Sequence, residues 1–449
     1  MKFKHTLTGE KVLLYGLGVT GKSALKTLPA AGAELALYVD GGLSEQDQAY
    51  LNTLPHPESV TIIEDVDAIS LDPYAFILRS TGISFQKPLV QRARREGKSV
   101  ITDVEMAYRL FGGENVVAIT GSNGKTTTTS LVAWILQHDG RKVTACGNIG
   151  LPVLTSMQEA EEGTIFIVEC SSFQLEGADT FMPRRAAILN LSEDHVDWHG
   201  SLEAYAEAKS HITRNQRATD DLWIQENDPT IEETVARVGT KARIHHVTYH
   251  DPYLDHLRRG EGWHLWGEHN IHNAAFAIAI TRDMGVSEDV LREALDSFRP
   301  IAHRMEDLGM VNGVRYINDS KGTNVDATVT ALAAIHQPVL LIAGGYDKHI
   351  SYDDMYEAMR PHGKMMILIG QTAERIAREA KERGWGDRTV IAGTLKKAME
   401  IAFQEAKKGD LVLLSPASAS WGQYKRFEER GDEFRAIVEA WRKKNANNG

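Results

Sequence analysis

The sequence predicts an α/β protein of three domains, with parallel sheets covered by helices. Three observations carry this. Short runs rich in Val, Ile and Leu alternate with amphipathic helical stretches almost throughout, the βαβ rhythm of sheets buried on both faces. Two strand-to-glycine turns, GLGVTG (16–21) and TGSNGKTT (120–127), lie far apart, so each should open its own sheet. A third α/β pattern begins after Pro300 and runs through VLLIAGG (339–345) and GDLVLLSPASAS (409–420).

In chain order, apolar runs place strands at 11–15, 34–39, 75–78, 116–120, 164–169, 186–190, 338–343, 364–369 and 411–414. Helical spacing of apolar residues follows most of them, for example at 126–138, 202–215 and 270–283. The strand-like KSVIT puts a boundary near 102–104. The resulting domains are 1–103, 104–301 and 302–449. No repeat of fixed period is present, and the only biased segment is the polar tail KKNANNG.

The bulk numbers agree with several cores. At roughly 100–200 residues per domain, 449 residues make two to four domains. Hydrophobic residues at 42% and charged residues at 25% are ordinary for a globular chain. A net charge of −11 argues against a non-specific nucleic-acid binder, though small phosphorylated ligands need only a few local cations and a helix N-terminus. Two cysteines, Cys146 and Cys170, can build neither a disulfide framework nor a metal cluster. The N-terminal apolar run is too short for a signal peptide, and no stretch is long enough to span a membrane, so a cytoplasmic protein is expected.

The strongest local signal is NVVAITGSNGKTTTTSLVAWIL. A buried strand enters Gly121, Ser122, Asn123 and Gly124, and Lys125, Thr126 and Thr127 open a helix. Such glycines let backbone N–H groups wrap a phosphate. The helix N-terminus adds positive potential, the lysine reaches the β- and γ-phosphates, and a threonine hydroxyl can hold Mg²⁺. The loop is shorter than the usual form, with Ile119 where a glycine would stand. ATP or GTP binding follows.

GLGVTGKSA has the G-x-G-x-x-G form, with Asp40 closing the next strand about 20 residues on. The helix N-terminus reads phosphate and not the base, so a UDP-linked ligand, a dinucleotide and a structural turn all remain open readings. No hydride-transfer site accompanies it.

At this point the residues resemble the Mur ligases of peptidoglycan synthesis, over nearly the whole chain. The resemblance rests on GLGVTGKS, TGSNGKTTT, GNIG (147–150), ECSSFQLE (169–176), ILNLSEDHVDWH (188–199), the lysine of AYAEAKS, GEHNIHNAAFA (267–277), AHRME (302–306), YINDSKGTN (316–324) and SPASASWGQYKRFEERG (415–431). The SSFQLE, NDSKGTN and FEERGDEF strings point to the branch that adds D-glutamate. The family implies an N-terminal Rossmann-like domain, a central P-loop ATPase-type domain and a C-terminal Rossmann-like domain. It also implies an ATP-dependent acid–amino-acid ligase that uses ATP and Mg²⁺, takes UDP-N-acetylmuramoyl-L-alanine and D-glutamate, and acts as a monomer away from nucleic acid and membrane.

The resemblance further implies roles for single residues. Lys125, Glu169, His195 and Lys209 would be catalytic. Thr126, Glu169, His195 and Lys209, the last as a carbamate, would hold metal. Gly121–Thr127 with Asn270, Asn273, Arg304 and Asp319 would bind ATP. Gly18, Val19, Thr20, Asp40, Ser80, Gly82, Asn148, Ser171 and Gln174 would hold the UDP-substrate. His303, Lys321, Thr323, Lys348, Ser420, Trp421 and Phe427 would form the D-glutamate pocket. The chain departs from the family after Asp40, where Gly41 and Gly42 replace an Asp-Thr-Arg run, which leaves the uracil contacts open. It departs again at STGI (80–83), where a Ser-Pro-Gly turn is common, and at Ser418 and Trp421. Another amino-acid specificity, folylpolyglutamate synthesis, a non-catalytic nucleotide switch and an NAD-dependent oxidoreductase are the competing readings.

Overall fold

The computed structural model describes residues 1–192, 196–250, 252–258, 265, 267–299, 302–347 and 350–446. It contains three sheets. The first holds β1 (Lys11–Tyr15), β2 (Glu34–Tyr38), β3 (Val60–Ile63), β4 (Tyr74–Arg79) and β5 (Val100–Ile101), in the order β3-β2-β1-β4-β5. Every pairing is parallel. The winding reverses beside β1, whose carboxyl end runs into Gly16; that is the crevice where open α/β sheets take ligands.

The second sheet holds β6 (Val116–Thr120), β7 (Val143–Gly147), β8 (Ile165–Glu169), β9 (Arg185–Ile188), β10 (Asp221–Gln225) and β11 (Arg243–Val247). Its order is β11-β10-β9-β6-β8-β7, again all parallel. The phosphate-loop strand β6 is central and buried at every position, as a strand covered on both faces must be.

The third sheet holds β12 (Glu306–Val311), β13 (Val314–Asn318), β14 (Val339–Ala343), β15 (Gly363–Ile369), β16 (Thr389–Gly393) and β17 (Leu411–Leu414), in the order β12-β13-β17-β14-β15-β16. Here the expectation of purely parallel sheets fails at one edge. β12 and β13 form an antiparallel hairpin through Asn312 and Gly313, both at positive φ (53° and 77°).

The chain divides into two compact units, Met1–Glu261 with Ile271–Ser297, and Gly262–Asn270 with Phe298–Gly449. Within the first unit the first two sheets share one apolar core, in which Val12, Leu14 and Leu78 join Val116, Phe166 and Ile188. Polar contacts add to it. Thr27 Oγ1 donates to Gln158 Oε1 at 2.8 Å, and the N-terminal ammonium donates to the Gln158 carbonyl at 3.0 Å.

The helix expected at 202–215 stops at Ser210. Beyond it the chain tightens into i→i−3 turns, Ile212 N to Lys209 O and Thr213 N to Ser210 O. The Gln216 amide then donates to the carbonyls of Pro183 and Asp221, which a continued helix would leave unmet. The expected polar tail is helical as far as Ala446, within Phe427–Ala446. No helix among the described residues is long and apolar enough to cross a membrane.

Candidate active site

The phosphate loop grows directly out of β6. Gly121 and Gly124 stand at φ +155° and +80°, and at Gly124 only a glycine fits. An added Cβ there would lie 2.1 Å from Asn273 Oδ1. The loop is clamped from three sides. Asn190 accepts from the Asn123 N–H at 2.8 Å and donates to its carbonyl at 3.1 Å. Ser122 N donates to the Asn190 carbonyl, while Tyr205 donates its hydroxyl to Ser122 Oγ at 3.2 Å. Asn273 is buried and accepts from Thr128 Oγ1. Lys125 Nζ lies across its own loop and donates to the carbonyls of Gly121 (2.7 Å) and Ser122 (2.8 Å). Thr126 and Thr127 are buried at the start of the helix Lys125–His138.

Two further sequence-predicted residues converge on this loop. Lys209, on the helix Leu202–Ser210, is buried and donates from Nζ to the Gly121 carbonyl at 2.8 Å, with the Tyr205 ring 4.6 Å away. Glu169 ends β8, in register with Ile119 of β6. Its Oε1 accepts from Asn148 Nδ2 at 2.8 Å. Its Oε2 is buried and has no hydrogen-bond partner among the described residues. An orphaned buried carboxylate oxygen is costly and calls for a partner from outside the described residues. His195 lies outside the described residues.

The first glycine turn is equally tight. Gly16 has φ +89°, and a Cβ on Gly21 would lie 2.2 Å from the Gly16 carbonyl. Ser80 Oγ donates to the Gly16 carbonyl at 3.1 Å, which ties the turn 80–83 to it. Val19 is 70% exposed at the start of the helix Val19–Ala30, and Thr20 is buried. A Cβ on Gly82 would meet nothing within 4 Å. Asp40 accepts from the Tyr15 hydroxyl at 2.9 Å and pairs with Lys87 at 2.9 Å. Burial works to raise the Asp40 pKa, but Lys87 and Tyr15 outweigh it and hold the carboxyl below its ordinary value.

Ser171 and Gln174 form a capping box at the helix Ser172–Leu175. The Gln174 amide is fully used. Its oxygen accepts from Ser171 N and Oγ, and its nitrogen donates to both oxygens of buried Asp103 at 3.0 and 3.2 Å. Gln174 therefore orients its turn and offers no spare group to a ligand. The string SSFQLE alone could not reveal this, because Asp103 lies far away in sequence.

In the second unit, His303 adopts φ +65°. Its N–H donates to Glu306 Oε2 at 3.0 Å, and Nδ1 accepts from Asn318 Nδ2 at 3.0 Å. Burial, then the charge of Arg435, holds its imidazole below the usual pKa. Asp319 is buried and accepts from Met305 N and Ser415 Oγ; burial lifts its pKa to about 6 against the pull of Ser415 and Arg304. Arg304 Nε is buried with no acceptor among the described residues. Lys321 N donates to the His303 carbonyl, and its Nζ stands 5.8 Å from the Phe427 ring, itself edge-on to His303. Thr323 follows in the same turn, its N–H on the Lys321 carbonyl. Ser420 is buried, whereas Trp421 is 55% exposed against Tyr346. Asn270 is buried, with Nδ2 3.1 Å from His269 Nε2. Lys348 lies outside the described residues.

The chain is similar to known proteins over most of its length. Residues 119–281 match the Mur ligase middle domain, and residues 303–418 match the Mur ligase glutamate ligase domain. The chain is 36% identical to a UDP-N-acetylmuramoylalanine–D-glutamate ligase of Thermoanaerobacter pseudethanolicus, over 96% of this chain and 98% of that one. The chain belongs to the Mur ligase family. A second D-glutamate ligase, from Geobacillus kaustophilus, is also 36% identical, over 94% of this chain and 96% of its own. A MurF ligase from Thermotoga maritima in complex with ADP shares the three-domain fold at 16% identity, with a TM-score of 0.57 and 96% of each chain covered.

In this Mur ligase chain, residues that carried no signal on their own also pack at these places. Asn190 sits inside the quoted ILNLSEDH string, yet only the fold shows that its amide pins the phosphate loop. Tyr205 precedes Lys209 by one helical turn and so reaches the same loop. Asn318 and Arg430 are buried polar residues of the C-terminal unit; Arg430 donates to Ser320 Oγ and to the Ser418 carbonyl. Burial lowers the Arg430 pKa to about 10.

Proposed function

We propose that the chain is an ATP-dependent ligase that adds D-glutamate to UDP-N-acetylmuramoyl-L-alanine, in the cytoplasm and as a monomer, with domains at 1–103, 104–301 and 302–449. The observation that carries the reading is the end-to-end match to two D-glutamate ligases at 36% identity. The site geometry supports it. ATP lies in the loop Gly121–Thr127, its phosphates met by backbone N–H groups, the helix N-terminus and the Lys125 ammonium. Asn270, Asn273, Arg304 and Asp319 serve the nucleotide. Gly18, Val19, Thr20, Ser80 and Gly82 hold the UDP end of the second substrate, with Asp40 beside it, and Asn148 and Ser171 guide its muramoyl end towards Glu169.

The alanyl carboxylate is a poor electrophile. Attack of a carboxylate oxygen on the γ-phosphorus releases ADP and leaves an acyl phosphate. The neutral amine of D-glutamate then adds to the acyl carbon, and phosphate departs as the amide forms. His303, Lys321, Thr323, Lys348, Ser420, Trp421 and Phe427 make up the D-glutamate pocket, where cations and hydroxyls suit its two carboxylates.

Mg²⁺ fits the donor set. Glu169 Oε2 is a buried oxygen lacking a partner among the described residues, and Mg²⁺ takes hard oxygen ligands. Thr126, Glu169, His195 and Lys209 as a carbamate would hold it. When bound, such an ion neutralises phosphate charge as the phosphoryl group transfers.

The test is phosphate release from ATP by the purified chain. It should require both the UDP-muramoyl-alanine substrate and D-glutamate. Equal release with L-lysine or diaminopimelate, or none with the full substrate set, would overturn the reading.

A further inference from the structure

Arg79 ends β4 with none of its surface exposed. Among the described residues it has no salt bridge, Glu176 and Asp103 acting on it only through their charge, and its hydrogen bonds go to backbone carbonyls. Nη1 donates to Thr81 O (3.3 Å) and Ile83 O (2.7 Å), within the turn that carries Ser80 and Gly82. Nη2 donates to Phe173 O at 2.6 Å, on the helix Ser172–Leu175 next to Ser171. The guanidinium lies 3.9 Å from the Phe85 ring centroid, and Arg94 stacks on the same ring at 4.1 Å. Its Nε finds no acceptor among the described residues.

A buried arginine with no carboxylate in hydrogen-bond contact is an expensive way to stabilise a fold. What it adds is geometry, since a planar fork can hold several carbonyls at fixed angles where a lysine cannot. The turn it holds is itself tied to the first glycine loop through Ser80 Oγ and the Gly16 carbonyl. Its other arm grips the element that follows Glu169. We infer that Arg79 is a positioning residue: it fixes the distance between the UDP-binding turn and the reaction centre, so that UDP binding at 16–21 and 80–83 orders the segment 171–175.

This rests on the proposed function. The test is titration of the wild-type chain and Arg79→Lys with UDP and, separately, with ADP. We expect UDP affinity to fall about tenfold or more in Arg79→Lys, and ADP affinity to change less than about twofold, because charge is kept but the fork is lost. In kinetics the loss should appear in the KM for the muramoyl nucleotide and in kcat, with the KM for ATP unchanged. Equal UDP affinity in the two proteins would overturn the inference alone. A wild-type chain that binds no UDP would overturn the underlying reading instead. Should Arg79→Lys bind neither ligand through misfolding, hydrogen exchange on the wild type decides. UDP should slow exchange in 80–83 and 171–175 together, ADP in neither, and slowing confined to 80–83 would refute the link.

Discussion

Lys209 Nζ and the Gly121 carbonyl lie 2.8 Å apart although 88 positions separate them in the chain. The contact seats a buried lysine at the first residue of the phosphate loop. A lysine amine in its neutral form is what CO₂ carbamylates. The product turns a cation into an oxygen-bearing anion at the place where the proposed metal set needs one.

Lys209→Ala should therefore lose turnover by more than about a hundredfold, the scale of removing one preorganised charged group. Formate or acetate should restore part of it by filling the vacated space with a carboxylate. Phosphate release measured against formate concentration checks this. Absence of rescue would remove the carbamate and leave Lys209 as a loop-holding cation.

Lys125→Ala should leave the fold intact and abolish activity. Its ammonium donates to the carbonyls of Gly121 and Ser122 in its own loop and fills no apolar core, so removing it deletes charge at the phosphates without opening a cavity. We expect an unchanged melting temperature and turnover below roughly a tenth of wild type. Activity above that level would refute its role, and formate should not rescue it.

What could be read in advance had local causes. The nine expected strands all appear, within a residue or two, because each is a short apolar run closed by glycine or a polar turn. The two glycine loops were legible because φ values such as +89° at Gly16 and +80° at Gly124 are open mainly to glycine. What was hidden depends on partners distant in sequence. Arg79 carries no signal in the sequence, and its role depends on the carbonyls of Ile83 and distant Phe173. Gln174 reads as a ligand contact until Asp103 takes its amide. The β12–β13 hairpin was missed because Glu306–Val311 is half-exposed and mixed in polarity, with no apolar run to announce a strand.

Asp319 gives a pH prediction with a definite sign. Burial raises its folded pKa to about 6, above the usual value near 3.9 of an unfolded chain. The folded state therefore holds a proton between those values that the unfolded state has released. Stability of the C-terminal unit should fall as pH rises from about 4 through about 6, by an amount on the order of 3 kcal/mol. Asp319→Asn cannot titrate. Its stability relative to wild type should rise between pH 4.5 and pH 7, as followed by urea unfolding. Parallel pH profiles for the two proteins would exclude Asp319 as the source.

Gly431 sits inside the helix Phe427–Ala446, where alanine would ordinarily be better by about 1 kcal/mol. Here the preference should reverse. A Cβ at this position would lie 2.1 Å from His303 Nδ1 and 2.8 Å from its Cγ. The imidazole cannot yield easily, since Asn318 holds Nδ1, Glu306 holds the His303 N–H, and the residue is already at positive φ. Gly431→Ala should cost about 2 kcal/mol, the scale of overpacking a filled site. In a His303→Ala background the obstacle is gone, and the same substitution should stabilise by about 1 kcal/mol. Urea unfolding of the four proteins in this cycle measures both effects. If Gly431→Ala stabilised the wild-type chain, the close approach of helix and imidazole would be wrong.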